Sequence, residues 1–374
     1  MALVLTGLAL ASTLYWVYAL GCVVRFRRRP RPTSTHCPPV TVLKPLCGAH
    51  AGLYDSLRSF CDQDYPEFQI LFGVRDPDDP AIEVVGRLMN EFRERNLKLV
   101  VSERDLSLNP KVSNLINLYG GAEHDTIVIA DSDIRVGRDY LRHAVAPLAD
   151  PGVGLVTCLY RGGGSGRGWG ALGRLFIDDW FFPSALVSVT GGRLRHAFGA
   201  TLAFRRRSLE AIGGFAPLGV YLADDYMLGE RIADAGERVV LSPFVIETRV
   251  VEQSFRALFF HELRWSRTMR ATRPIGYFFA ASTYGFVWSA LALAASLAAW
   301  PALVVGAVHI AVRLAVHRAA QRTLATNTVP SVWLLPARDV LSIVLWAASF
   351  MGRTVRWGRY RFLVDRLGRL ARIA

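Results

Sequence analysis

Thr126-Ile127-Val128-Ile129-Ala130-Asp131-Ser132-Asp133 is an apolar run closed by two carboxylates spaced i, i+2. Its β-branched residues read as a short buried strand. Two acids at the end of such a strand can share one hard divalent cation. Mg²⁺ or Mn²⁺ prefers oxygen ligands and keeps positions open for substrate phosphates. In an open α/β sheet, ligands bind beyond the carboxyl ends of the strands. The stretch therefore points to an α/β domain with a metal-assisted nucleotide site, in which Asp131 and Asp133 hold the ion. A turn carrying two solvated acids has the same pattern, so the neighbouring sequence decides.

That sequence alternates. Strand-like runs lie at 40–43, Phe68–Val74 and 97–101, with helix-like stretches at Leu53–Cys61, 81–95 and 112–119 between them. Such alternation predicts a mainly parallel sheet flanked by helices. Asp76, Asp78 and Asp79 follow the second strand. Lys111 lies in Asn109-Pro110-Lys111-Val112-Ser113-Asn114, before a helix, where an ammonium and the helix amides together suit a phosphate. Farther on come Asp224-Asp225-Tyr226 and His261-Glu262-Leu263-Arg264-Trp265. The glycine-rich residues 162–170 read as a flexible loop, without the Gly-x-x-x-x-Gly-Lys-Ser/Thr pattern of a P-loop.

Composition narrows the class. The chain has 374 residues, 52% of them hydrophobic, and a mean hydropathy of +0.25. That allows one catalytic domain plus a few membrane spans. Net charge is +13, and only Lys44, Lys98 and Lys111 of the 44 basic residues are lysines. Arg25, Arg27, Arg28, Arg29 and Arg31 follow the first apolar segment, and seven arginines occur between Arg353 and Arg372. Basic clusters at span ends mark the cytoplasmic side and meet anionic lipid, so the charge speaks for a membrane and against nucleic acid. The five cysteines are scattered, without Cys-x-x-Cys, which excludes a disulfide framework or zinc site.

The expected organisation follows. Residues 1–24 form an anchor, 25–39 a basic, proline-rich linker and 40–253 the catalytic domain. An amphipathic interfacial helix lies within 254–274, a transmembrane region covers 275–352, and 353–374 is a basic tail. The stretch after Pro274 is one long span or two meeting at Pro301. The segment 331–351 contains Arg338 and Asp339, costly at depth unless paired. Three spans place the tail inside, four outside.

Acid cluster, Asp-x-Asp, Asp-Asp and x-x-Arg-Trp, in this order, resemble a membrane-bound family-2-type (GT-A) glycosyltransferase, and more closely the ceramide glucosyltransferase group of family 21. Val42 to Gly48, Gly73 to Ile82, Asn109 to Leu115 and Asp224 to Gly229 look most like the bacterial hopanoid-biosynthesis glycosyltransferases. The resemblance implies an inverting transfer of one sugar from a UDP-sugar to a lipid alcohol at a bacterial inner membrane, with the catalytic domain cytoplasmic. It implies N-acetylglucosamine as the sugar and bacteriohopanetetrol as the acceptor; ceramide with UDP-glucose is the alternative. Asp225 would be the general base and Asp224 its neighbour. Asp76 or Asp79 would contact uridine. Lys111, Asn114, Asp224, His261, Arg264 and Trp265 would bind substrate. His261 stands where the family motif usually has Gln or Arg, which speaks against a processive polysaccharide synthase.

Overall fold

The apolar runs form strands because both of their faces are covered. In β1 (Val40–Pro45), Val40 and Val42 pack into one core layer with Ile70, Phe72 and Val128. Leu43, on the other face, packs into a second layer with Leu71, Ile127 and Ile129. A strand buried on both faces shows no polar side, as in sheets clad by helices. The computed structural model describes residues 1–30, 37–164, 168–250, 252–326, 331–357 and 360–373. Part of the expected 25–39 linker lies outside them.

The remaining strands of the sheet are β2 (Phe68–Val74), β3 (Asn96–Val101), β4 (Thr126–Ile129), β5 (Ile134–Arg135), β6 (Val153–Gly163), β7 (Leu202–Arg205) and β8 (Arg238–Arg249). Their order is β3-β2-β1-β4-β7-β6-β8-β5. The first four are parallel; β7 runs antiparallel to β4 and β6, and β5 antiparallel to β8. The helix Leu53–Cys61 lies where the sequence predicts it. The Ala81–Glu91 helix stops four residues before the expected end. The Pro110–Tyr119 helix starts at its proline, and the Asn109 side chain accepts from the Lys111 and Val112 amides as its cap.

The chain divides into two compact units. One comprises Pro30–Tyr160, Arg193–Val251 and Arg356–Ala374; the other Met1–Arg29, Arg161–Gly192 and Glu252–Val355. The first holds most of the sheet. It also gives part of the expected basic tail a folded form. Tyr360–Val364 and Leu370–Ile373 pair as an antiparallel hairpin whose Phe362, Val364 and Leu370 are buried. The hairpin is bonded to the loop before Asp224: the Leu222 amide donates to Gly368 and the Leu370 amide to the Val220 carbonyl. Apolar residues alternating with arginines give this segment a strand's period, which its charge obscures.

The second unit is helical. Ala2–Arg27, Trp300–Leu324 and Val332–Phe350 are each long and apolar enough to cross a membrane. Pro274–Thr283 and Gly285–Ala295 form a pair bent by 54° that qualifies jointly as a fourth. The chain after Pro274 therefore folds as two pieces separated before Pro301, and the second runs to Leu324. Arg338 pairs with Glu262 at 2.8 Å, and Asp339 with Arg313 at 3.6 Å, which answers the cost of charge in an apolar helix. The amphipathic helix is Phe255–Thr272, capped by the Ser254 hydroxyl. The glycine-rich stretch is not a loop throughout. Gly162 and Gly163 finish β6 and Gly168 opens a helix; residues 165–167 lie outside the described residues.

Candidate active site

Asp131 ends the β4 segment in a tight turn, in which the Ile134 amide donates to its carbonyl at 3.3 Å. The same carbonyl accepts from Lys44 Nζ at 2.5 Å. Lys44 is fully buried at the end of β1, its ammonium 3.8 Å from the Phe60 ring centre, and burial lowers its pKa to about 7. Sequence reasoning gave it no role, although a lysine closing an otherwise apolar strand was the available signal.

The Asp133 carboxylate accepts from the Thr248 hydroxyl at 2.8 Å, and its carbonyl accepts from the Arg249 amide. Pairing of Ile134 with Thr248 across β5 and β8 makes both bonds possible. Burial and then the Asp131 charge hold its pKa above the usual carboxylate range.

Lys111 reaches back from its capped helix. Its Nζ lies 2.6 Å from Asp131 Oδ1 and 3.8 Å from Asp224 Oδ2. Burial opposes its charge, but Asp131, Asp224 and Asp225 outweigh burial and hold the ammonium well above its ordinary range. Asp224 and Asp225 occupy the first turn of the Asp224–Asp234 helix and do not cap it. Asp224 is buried, and the Asn109 amide lies 3.5 Å from it while bonding the Tyr221 carbonyl at 2.8 Å. Burial raises the pKa of Asp224, and it pushes that of Asp225 up to about 6 with help from the Asp224 charge. Gly199 makes room for Asp225: a Cβ there would sit 2.6 Å from its Oδ2. Tyr160, which the sequence did not single out, faces the same acids; burial first, then Asp225, Asp133 and Asp131, raise its pKa.

The nucleotide-side candidates separate. The Asp79 carboxylate accepts from the Gly48 amide at 2.8 Å and the Ala81 amide at 2.8 Å, tying the loop after β1 to the Ala81–Glu91 helix. Asp76 accepts from the Asp78 amide at 3.1 Å. Asn114 is buried, and its amide donates to Gly73 at 2.8 Å. This bond shapes the end of β2. His261, Arg264 and Trp265 belong to the helical unit. There His261 pairs with Glu252, and the Trp265 ring lies tilted against His261 at 4.3 Å and stacks on Phe176 at 5.8 Å.

Among the described residues, no three His, Cys, Asp or Glu side chains are grouped to hold an ion. The chemistry of Asp131 and Asp133 still fits Mg²⁺ or Mn²⁺. Two hard carboxylates flank one turn, and the mutual repulsion that raises the Asp133 pKa is what a shared cation relieves.

Comparison with known proteins bears on the family and the fold. The chain is 28% identical over 219 residues to ceramide glucosyltransferase 3 of Caenorhabditis elegans, covering 55% of this chain and 45% of that one. It is 26% identical over 280 residues to ceramide glucosyltransferase 1 of the same organism, covering 73% and 59%. The chain thus spans about half the length of these relatives. Among solved structures it resembles the mannosyltransferase PcManGT from Pyrobaculum calidifontis, in complex with GDP-Man and Mn²⁺. The TM-score is 0.58 at 22% identity, over 91% of this chain and 98% of that one. This likeness shows the GT-A fold. The profile of Glycosyl transferase family 21 matches residues 4–370, and the chain belongs to that family.

Proposed function

We propose that the chain transfers one sugar from a UDP-sugar to a membrane lipid alcohol with inversion. The observation that carries this reading is Asp225, a carboxylate with its pKa raised to about 6 beside the Asp131–Lys111–Asp224 cluster. A base near neutrality suits the work. Asp225 takes the proton of the acceptor hydroxyl as that oxygen attacks the anomeric carbon. The bond from that carbon to the diphosphate breaks, and UDP leaves on the opposite face. Lys111 offsets the charge arriving on the diphosphate, Lys44 holds the Asp131 turn, and Asp76 contacts uridine. Mg²⁺ or Mn²⁺ held by Asp131 and Asp133 would add charge neutralisation at the diphosphate. For His261, Arg264 and Trp265 the support is the family pattern, with Arg264 toward the diphosphate and Trp265 toward the acceptor.

The motifs support a hopanoid, bacteriohopanetetrol, as acceptor and N-acetylglucosamine as sugar. The curated relatives favour a second reading, ceramide with UDP-glucose. Mass spectrometry of membrane lipids from cells with the chain, without it, and with Asp225→Asn decides. A glycosylated hopanoid only with the native chain is expected. A glucosylceramide would select the second reading, and an unchanged lipid profile would overturn both.

The proposed setting is a bacterial inner membrane with three crossings. Ala2–Arg27 and Trp300–Leu324 run parallel, since Thr13 meets His309 at 3.2 Å and the Arg313 guanidinium lies 3.9 Å from the Trp16 ring. The bent pair between them returns the chain. The Leu335–Phe350 helix instead follows the amphipathic one, with Arg338 on Glu262 and Phe350 on Arg270. It lies in the interface. Three crossings leave the hairpin on the side of the catalytic unit to which it is bonded. Single cysteines at Leu297 and Met351 should label from outside and inside respectively; outside labelling of Met351→Cys would refute this topology.

A further inference from the structure

Where the parallel helices Ala2–Arg27 and Trp300–Leu324 end, a groove of about 680 Å³ opens between them. Arg27 and Arg28 line it from the first helix, Arg318 and Arg322 from the second. Among the described residues no acidic side chain pairs with any of these four. Leu20, Val24, Ala315 and Ala319 form the rest of the wall, and the two alanines leave the space open. Four exposed guanidiniums above an apolar trough match an anionic head group joined to an acyl chain. A nucleotide would find no aromatic or acidic side chain there for its base and ribose.

We infer that this groove binds one anionic phospholipid, its phosphate among Arg27, Arg28, Arg318 and Arg322 and the start of a chain against Leu20, Val24, Ala315 and Ala319. Two carboxyl helix ends meeting at one level add negative partial charge, which the arginines must also balance. The head group sits farther out, among the guanidiniums. The inference rests on these helices crossing a membrane and is independent of which sugar is transferred.

The test uses the full chain in detergent, titrated with phosphatidylglycerol or phosphatidylcholine and read by native mass spectrometry. The native protein is expected to retain one phosphatidylglycerol and no phosphatidylcholine. Arg318→Gln with Arg322→Gln should weaken retention about thirtyfold, from about fivefold per arginine near a membrane surface. Ala319→Trp fills the trough with every charge in place and should abolish retention. Equal retention of phosphatidylcholine, or unchanged retention in Ala319→Trp, would overturn the site in favour of diffuse charge. Displacement by inorganic phosphate at equal concentration would overturn the lipid as occupant. A chain that stays in solution without detergent would instead refute the membrane reading.

Discussion

Lys111→Met removes the ammonium that touches both Asp131 and Asp224 and leaves Asp131, Asp133, Asp224 and Asp225 facing one another. At 3.8 Å and an effective dielectric of about 20, the Lys111–Asp224 attraction is about 4 kcal/mol. Taken whole, that is about three pKa units, an upper limit because Asp131 is 39% exposed and water screens its side of the cluster. A rise of one unit or more in the acids of the cluster is the working expectation. In its proposed role as base, Asp225 works only when ionised. The acidic limb of kcat/KM, expected at pH about 6 for the native chain from the raised pKa of Asp225, should therefore move to about pH 7 or higher in the variant. The stability sign is opposite. Asp133, Asp224 and Asp225 bind protons more tightly folded than unfolded, so stability falls as pH rises from about 4 through the folded values, and the variant extends that window upward. The checks are a pH–rate profile and melting curves at pH 5 and pH 8. Melting should drop further below native at pH 8 than at pH 5. An acidic limb unmoved in Lys111→Met would refute the electrostatic account.

Asp131→Asn should abolish transfer while the chain still inserts and folds, and EDTA should do the same to the native enzyme; activity surviving both would remove the metal role. Asp76→Asn should weaken UDP binding at little cost in stability. Asp79→Asn should instead lose about 1–3 kcal/mol of stability, because its carboxylate serves two backbone amides; the reverse result in calorimetry and UDP titration would exchange the two roles. Phe362→Ala, at a position 1% exposed, should cost about 3–5 kcal/mol and raise amide exchange at Val220 to Leu222. Unchanged exchange there would show that the hairpin does not brace that loop.

The parallel half of the sheet was legible because Val40, Ile70 and Ile127 sit in short, mainly apolar runs, and the turn after β4 because Asp131 and Asp133 close one of them. Asp224 and Asp225 were legible as a pair. Their neighbours were not, because Lys111, Asn109 and Tyr160 meet them only through the crossovers of the sheet. The backbone bonds of Asp79 were hidden, because an acid that bonds nearby amides has the same local sequence as one that faces a ligand. The hairpin was missed for another reason: its arginines hid the period of Phe362, Val364 and Leu370.

That hairpin also sets the order of biosynthesis. Tyr360–Val364 and Leu370–Ile373 leave the ribosome only after every apolar helix, yet their amide and carbonyl groups complete the backbone pairing of the loop that leads into Asp224. The loop before Asp224 therefore lacks this pairing while the apolar helices are being synthesised, and its partner strands follow them. A chain stalled before residue 360 lacks that partner, so the backbone pairing of the loop that leads into Asp224 is complete only after all the apolar helices have been made.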